Sequence, residues 1–82
     1  ADIPQRLVDI GCGTGNFLAI AAKHVKQPIG VDIAMRWLHL SRRRFLDDGL
    51  EVPALVCCCA EYLPFKPQSF DVAVVMSTYE FL

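Results

Sequence analysis

The stretch Arg6-Leu-Val-Asp-Ile-Gly-Cys-Gly-Thr-Gly-Asn-Phe17 decides how this chain folds. Arg6–Ile10 is a short aliphatic and β-branched run, the signature of a strand. It is closed by Gly11-Cys-Gly-Thr-Gly15, a glycine turn that delivers the chain into a helix. Glycines suit such a turn because they accept positive φ and because a Cβ would hold a ligand away from the main chain. The helix that follows would present unpaired N–H groups suited to an anion or carboxylate.

Working outward, Phe17, Leu18, Ile20, Ala21, Ala22 and Val25 keep apolar groups at three- and four-residue spacing until Pro28 ends the pattern. Pro28–Asp32 reads as a second strand with an acidic end. Ala34, Trp37, Leu38, Ser41 and Phe45 then form a helical stripe opposite Arg36, Arg42 and Arg43, with Gly49 as the stop. Val52–Cys59 is almost wholly small or aliphatic, as expected of a strand buried on both faces. Tyr62–Ser69 is a loop, Phe70–Met76 is another continuous apolar strand, and Ser77-Thr78 is placed to cap a further helix. Strands alternating with amphipathic helices predict an α/β fold with a parallel sheet and helices on both faces.

Composition agrees with a packed domain and narrows its partners. The chain has 82 residues, 54% of them hydrophobic and 21% charged, too apolar for disorder and at most one domain. A net charge of −1 provides no bulk attraction to nucleic acid or to an anionic membrane surface. Apolar runs are broken well before the roughly 18 residues that a membrane span needs. No secretory signal is visible, so Cys12, Cys57, Cys58 and Cys59 do not read as a disulfide framework, and a reducing, cytoplasmic setting is expected. The chain starts without Met and stops inside an apolar segment, which suggests part of a larger protein.

In a parallel α/β sheet, ligands bind beyond the carboxyl ends of the strands, near the point where strand order reverses. The glycine turn occupies such an end. Asp32 closes the second strand 17 residues after Gly15, where a carboxylate can accept from both hydroxyls of a ribose. A nucleoside-containing cofactor is implied, and glycine spacing bears on which. A dinucleotide fingerprint needs G-x-G-x-x-G, but the third glycine falls at Gly15 and Asn16 stands where that pattern requires glycine. A nicotinamide-dependent oxidoreductase is therefore the weaker alternative. No Gly-Lys-Ser/Thr follows the turn, which excludes a P-loop.

These motifs resemble the class I, Rossmann-like S-adenosylmethionine-dependent methyltransferases. Leu7–Phe17 is similar to that family's first motif and Gly30-Val-Asp-Ile33 to its second. Cys59-Ala-Glu-Tyr-Leu-Pro-Phe65 and Ser69-Phe-Asp-Val72 are similar to its third and fourth. The resemblance implies a three-layer sandwich with strand order 3-2-1-4, residues 1–82 being the cofactor-binding half of the domain. Its fourth strand would be left as an open apolar edge. S-adenosyl-L-methionine is the implied cofactor. Gly11, Cys12, Gly13 and Gly15 would pass close beneath it, and backbone groups at Gly11 would meet the methionine amine. Asp9 would fix that amine or the turn, Asp32 would hold the ribose hydroxyls, and Ile33 would lie against adenine. Cys59, Ala60 and Glu61 would border the adenine amino group, with Met76 and Ser77 at the methionine end.

Two departures stand out. Cys59 occupies a slot commonly filled by Asp and is a poor acceptor, leaving adenine to the Ala60 N–H and to packing. Ala34 replaces a common Ser and forgoes a helix cap worth about 1 kcal/mol. The Cys59 departure motivates a second alternative, a non-catalytic methyltransferase-like scaffold. The Leu-Pro-Phe and Ser-Phe-Asp segments look most like the branch that methylates small molecules. Met76-Ser-Thr-Tyr79 lacks the Asn-Pro-Pro-Tyr type of motif of nucleic-acid amine methylation.

Other features read as structural. Cys57, Cys58 and Cys59 alternate faces of a strand and cannot converge on one metal ion, so they are expected to be buried thiols. His24 and His39 have no partner spacing, and no metal site is expected. Arg42–Arg44 reads as the solvated face of a helix, Asp71 as a cap or pairing residue at the start of its strand, and Glu80 as a solvent-facing acid. No residue is identified as a catalytic base.

Overall fold

The computed structural model describes residues 5–64, 70–75 and 78–81. The elements are β1 (Arg6–Ile10), α1 (Asn16–Ala21), β2 (Gln27–Asp32), α2 (Met35–Asp47), β3 (Ala54–Cys57), a single 3₁₀ turn (Ala60–Tyr62), β4 (Val72–Val75) and β5 (Thr78–Phe81). They form a sheet in the order β3-β2-β1-β4-β5. The first four strands are parallel in the expected 3-2-1-4 order, with Asp9 of β1 flanked by Gly30 of β2 and Val74 of β4. The chain steps from β1 to β2 to β3 in one direction and then crosses to β4 on the other side of β1. The carboxyl end of β1 is therefore the reversal point at which such sheets bind ligands.

Side chains alternate across the sheet as period two requires. Leu7, Val72 and Val74 face a core completed by Leu18, Ala19 and Ala21 of α1 and by Leu38 and Phe45 of α2. Val8, Val31 and Ala73 face the opposite side, covered by Phe70 with Leu63 packed against them. Both helices thus lie on one face, and among the described residues no α-helix covers the other. The reason lies in topology, because two right-handed crossovers stepping in the same direction put their helices on the same side. The expected second helical layer is not within the described residues.

Helix α2 ends where Gly49 predicts. The Gly49 N–H donates to the Leu46 carbonyl at 3.1 Å and the Leu50 N–H to that of Phe45 at 2.9 Å, closing the helix with paired reverse bonds. Helix α1 is shorter than its apolar pattern suggests. It stops at Ala21, and the N–H groups of Lys23 and His24 turn back to the carbonyls of Ile20 and Ala21. At the start of β4, the Asp71 carboxylate accepts the backbone N–H groups of Gln5 and Arg6, each at 2.9 Å, which is the pairing role expected of it.

Four sequence expectations need correction. Strand β3 is an edge strand whose ends, Ala54 and Cys57, are exposed, because it has one neighbour and one helix-covered face; it is not buried on both sides. The triple cysteine follows suit, with Cys57 exposed and Cys58 and Cys59 half-buried, so that Cys12 is the one buried thiol. The outer edge of β4 is not open, and Thr78 does not begin a helix. Thr78–Phe81 pairs antiparallel with β4, Val75 opposite Thr78 and Val72 opposite Phe81. This supplies hydrogen-bond partners that an uncovered edge would lack.

Candidate functional site

The carboxyl ends of β1 and β2 converge on the glycine turn. Gly11, Gly13 and Gly15 have φ of 79°, 57° and 83°, all in the left-handed region. The turn is held by a nearly complete set of bonds. The N–H groups of Gly11 and Cys12 both donate to the Val31 carbonyl, at 2.7 and 2.9 Å, and the Gly15 N–H donates to that of Cys12 at 3.0 Å. The Gly13 N–H donates to Asp32 Oδ2 at 2.9 Å. From α2, the Ser41 hydroxyl donates to the Gly13 carbonyl at 2.7 Å and Arg44 Nε donates to the Thr14 carbonyl at 3.1 Å. Among the described residues, the Gly11 carbonyl and the Thr14 N–H are left without a partner.

Asp32 is the junction of the site. Its Oδ1 accepts the Ala34 N–H at 2.9 Å, so it also serves the start of α2, where Ala34 supplies no side-chain cap. Each carboxylate oxygen keeps a further acceptor position for a ribose hydroxyl. The Asp32 carbonyl accepts the Cys58 N–H at 3.1 Å, and Cys57 Sγ donates to the Ile33 carbonyl at 3.5 Å, which ties the end of β3 to the same corner. Ile33 is 72% exposed there, an apolar side chain available for stacking. Cys59 heads the 3₁₀ turn that contains Ala60 and Glu61, and the Tyr62 N–H donates to its carbonyl. Met76 and Ser77 lie outside the described residues.

Asp9 lies beneath the turn, 2% exposed. Burial first, and the negative charge of Asp32 second, push its carboxyl up to about 6. The Cys12 thiol is pushed up to about 11, chiefly by burial and then by Asp9, with the Ser41 hydroxyl opposing. It is a packing thiol and not a nucleophile.

The arrangement suits a cofactor that carries a ribose and a cationic amine. A Cβ added at Gly13 would meet nothing within 4 Å, so the turn has open space in front of it. The unpaired Gly11 carbonyl and Thr14 N–H offer one acceptor and one donor, and Asp9 and Asp32 contribute negative charge. A cleft of about 420 Å³, lined by Arg6, Val25, Lys26, Pro28, Leu50 and Pro53, lies at the amino ends of the strands. It is at the wrong end of the sheet for this chemistry.

Sequence reasoning assembled the turn and Asp32 but missed Ser41 and Arg44. Ser41 had a signal, a hydroxyl in an otherwise apolar stripe, and such a buried hydroxyl must find an acceptor. Arg44 had none, since one arginine of a run gives no sign of which carbonyl it will reach. Its neighbour Arg43 pairs with Asp47 on the exposed face of α2, as expected of a solvated run.

Residues 8–82 match the family described as "Methyltransferase domain". The chain belongs to that family. The sequence resemblance to the class I enzymes is thereby met, and the nicotinamide alternative falls away. The chain is 39% identical over 74 residues to the ubiquinone/menaquinone biosynthesis C-methyltransferase UbiE of Burkholderia mallei strain SAVP1, covering 85% of this chain and 30% of that protein. Among solved structures, it superposes with TM-score 0.77 and 27% identity on an S-adenosylmethionine-dependent methyltransferase from Clostridium acetobutylicum, covering 87% of this chain and 28% of that one. An rRNA methylase from Streptococcus thermophilus gives TM-score 0.78 at 25% identity, covering 90% and 42%. The chain thus spans about a third of the curated relatives it matches. Among the described residues, no helix is long and apolar enough to cross a membrane, and no group of side chains is placed to hold a metal ion.

Proposed function

We propose that this chain is the cofactor-binding portion of an S-adenosyl-L-methionine-dependent methyltransferase acting on a small-molecule acceptor in the cytoplasm. The observation that carries the reading is the Asp32 carboxylate, bonded to the glycine turn on one side and to the start of α2 on the other, with acceptor capacity to spare. In this reading Asp32 holds the ribose hydroxyls and Ile33 covers one face of adenine. The Ala60 N–H donates to a ring nitrogen at the adenine rim, Cys59 being a weak acceptor for the amino group, with Glu61 beside it. The Gly11 carbonyl and Asp9 receive the methionine amine, and Gly13 keeps the floor clear. Met76 completes the methionine end.

The cofactor, when bound, supplies a methyl group already activated by its sulfonium, so the protein's task is placement. The rigid turn, fixed by six hydrogen bonds from β2, α2 and its own backbone, performs that placement. The small-molecule acceptor is supported by the Leu63-Pro64-Phe65 and Ser69-Phe70-Asp71 segments and by the UbiE relative. The rRNA methylase neighbour makes RNA the competing acceptor.

Calorimetric titration of the full-length protein with S-adenosylhomocysteine tests the reading, with micromolar binding expected. No binding refutes it. Binding without methyl transfer to any of a quinone, phenol, sterol or RNA panel selects the non-catalytic scaffold instead.

A further inference from the structure

Helix α2 does more than cover the sheet. Ser41 is fully buried, at 0% exposure, directly behind the turn, and a Cβ at Gly15 would stand 2.9 Å from its hydroxyl oxygen. One helical turn further on, Arg44 reaches from the exposed side of α2 to the next carbonyl of the same turn. Successive peptide carbonyls of the glycine turn, Gly13 and Thr14, are thus both claimed by one helix.

A trans peptide points its carbonyl and its N–H in opposite directions. Drawing the Gly13 carbonyl inward onto Ser41 therefore turns the Thr14 N–H outward, away from the core, and that N–H is the one in the turn left unpaired among the described residues. The geometry points to Ser41, seconded by Arg44, as a positioning residue that aims the Thr14 N–H at the amino-acid end of the cofactor. This rests on the glycine turn being the cofactor cradle. The adenosine end is held separately, by Asp32 and Ile33, so the two ends of the ligand should respond differently to changes at Ser41.

That difference is the test. S-adenosylhomocysteine carries the amino-acid end, and 5′-methylthioadenosine keeps the adenosine but lacks it. In the full-length protein, Ser41→Ala leaves the part-buried Gly13 carbonyl with only the weak Cys12 thiol donor at 3.9 Å. It is expected to weaken S-adenosylhomocysteine about tenfold and methylthioadenosine less than about twofold. Equal losses on both ligands would mean general loosening and would overturn the proposal, as would no loss on either. If Ser41→Ala does not fold, Arg44→Ala on the exposed face decides: a selective loss of about threefold for S-adenosylhomocysteine supports the proposal, and unchanged affinity overturns it. If the unsubstituted protein binds neither ligand, the cofactor reading itself has failed, an outcome distinct from any variant's behaviour.

Discussion

One carboxylate, that of Asp32, accepts the Gly13 N–H through Oδ2 and the Ala34 N–H through Oδ1, both at 2.9 Å. Asp32 is 9% exposed, so these bonds form largely out of water. They join residues 19 positions apart and make the turn and the start of α2 one unit. Asp32→Asn keeps one acceptor but sets an NH₂ group against a backbone N–H. A buried donor is left unpaired, at a cost of about 1–3 kcal/mol. Urea unfolding should show a loss of that size, and titration should show S-adenosylhomocysteine binding at least about tenfold weaker. Unchanged affinity would remove Asp32 from the site.

The glycines of the turn should not respond alike to alanine. Gly13 and Gly15 both have positive φ, so each substitution carries backbone strain of about 1–2 kcal/mol. A Cβ at Gly13 meets open space, whereas one at Gly15 meets Ser41 Oγ at 2.9 Å and Ser41 Cβ at 3.2 Å. Gly15→Ala should therefore destabilise the protein by about 1–3 kcal/mol more than Gly13→Ala in denaturant melts. Gly13→Ala should act chiefly on binding, because its methyl enters the open space in which we propose the cofactor lies. Equal stability losses in the two variants would contradict this.

How much of this was legible in the sequence depends on how local each determinant is. β1, the turn and Asp32 could be read because the aliphatic run, the glycines and the terminal acid each carry their own physical reason. β3 could not, since Val52–Cys59 looks equally apolar at a sheet centre or a sheet edge, and only its neighbours decide exposure. Thr78–Phe81 was misread because Ser77-Thr78 is a good cap by itself, while the strand it forms is selected by the edge of β4. Ser41 and Arg44 act on carbonyls 28 and 30 residues away, beyond the reach of any local pattern.

Asp9 gives the site a pH dependence of defined sign. Its carboxyl titrates near 6 in the folded chain against 3.8 ordinarily, so the folded state holds that proton more tightly than the unfolded one. Its contribution to stability is full below about pH 3.8, declines as pH rises and is lost above about 6, where the buried charge costs up to about 3 kcal/mol. Asp9→Asn should therefore stabilise the protein at pH 7.5 relative to its effect at pH 4.5, measured by urea midpoints. A cationic amine beside Asp9 favours the ionised form, so S-adenosylhomocysteine should bind more weakly as pH falls from 7 to 5. Methylthioadenosine, lacking the amine, should not show that fall. A flat profile for both ligands would place the amine elsewhere.

The four thiols should separate by exposure. Cys12 is 8% exposed with its thiol pushed up to about 11, so almost none of it is thiolate at pH 8. Cys57 is exposed at the sheet edge, and Cys58 and Cys59 are half-buried. Treating the native protein with iodoacetamide at pH 8 and mapping the adducts by mass spectrometry should show Cys57 modified first, Cys58 and Cys59 more slowly, and Cys12 only in denaturant. Cys59 leads into the turn assigned to adenine, so saturating S-adenosylhomocysteine should slow its alkylation several-fold and leave Cys57 closer to its free rate. Protection of Cys57 alone would move the adenine pocket from the Cys59–Glu61 turn to the end of β3, and labelling of native Cys12 would show that the turn opens to solvent.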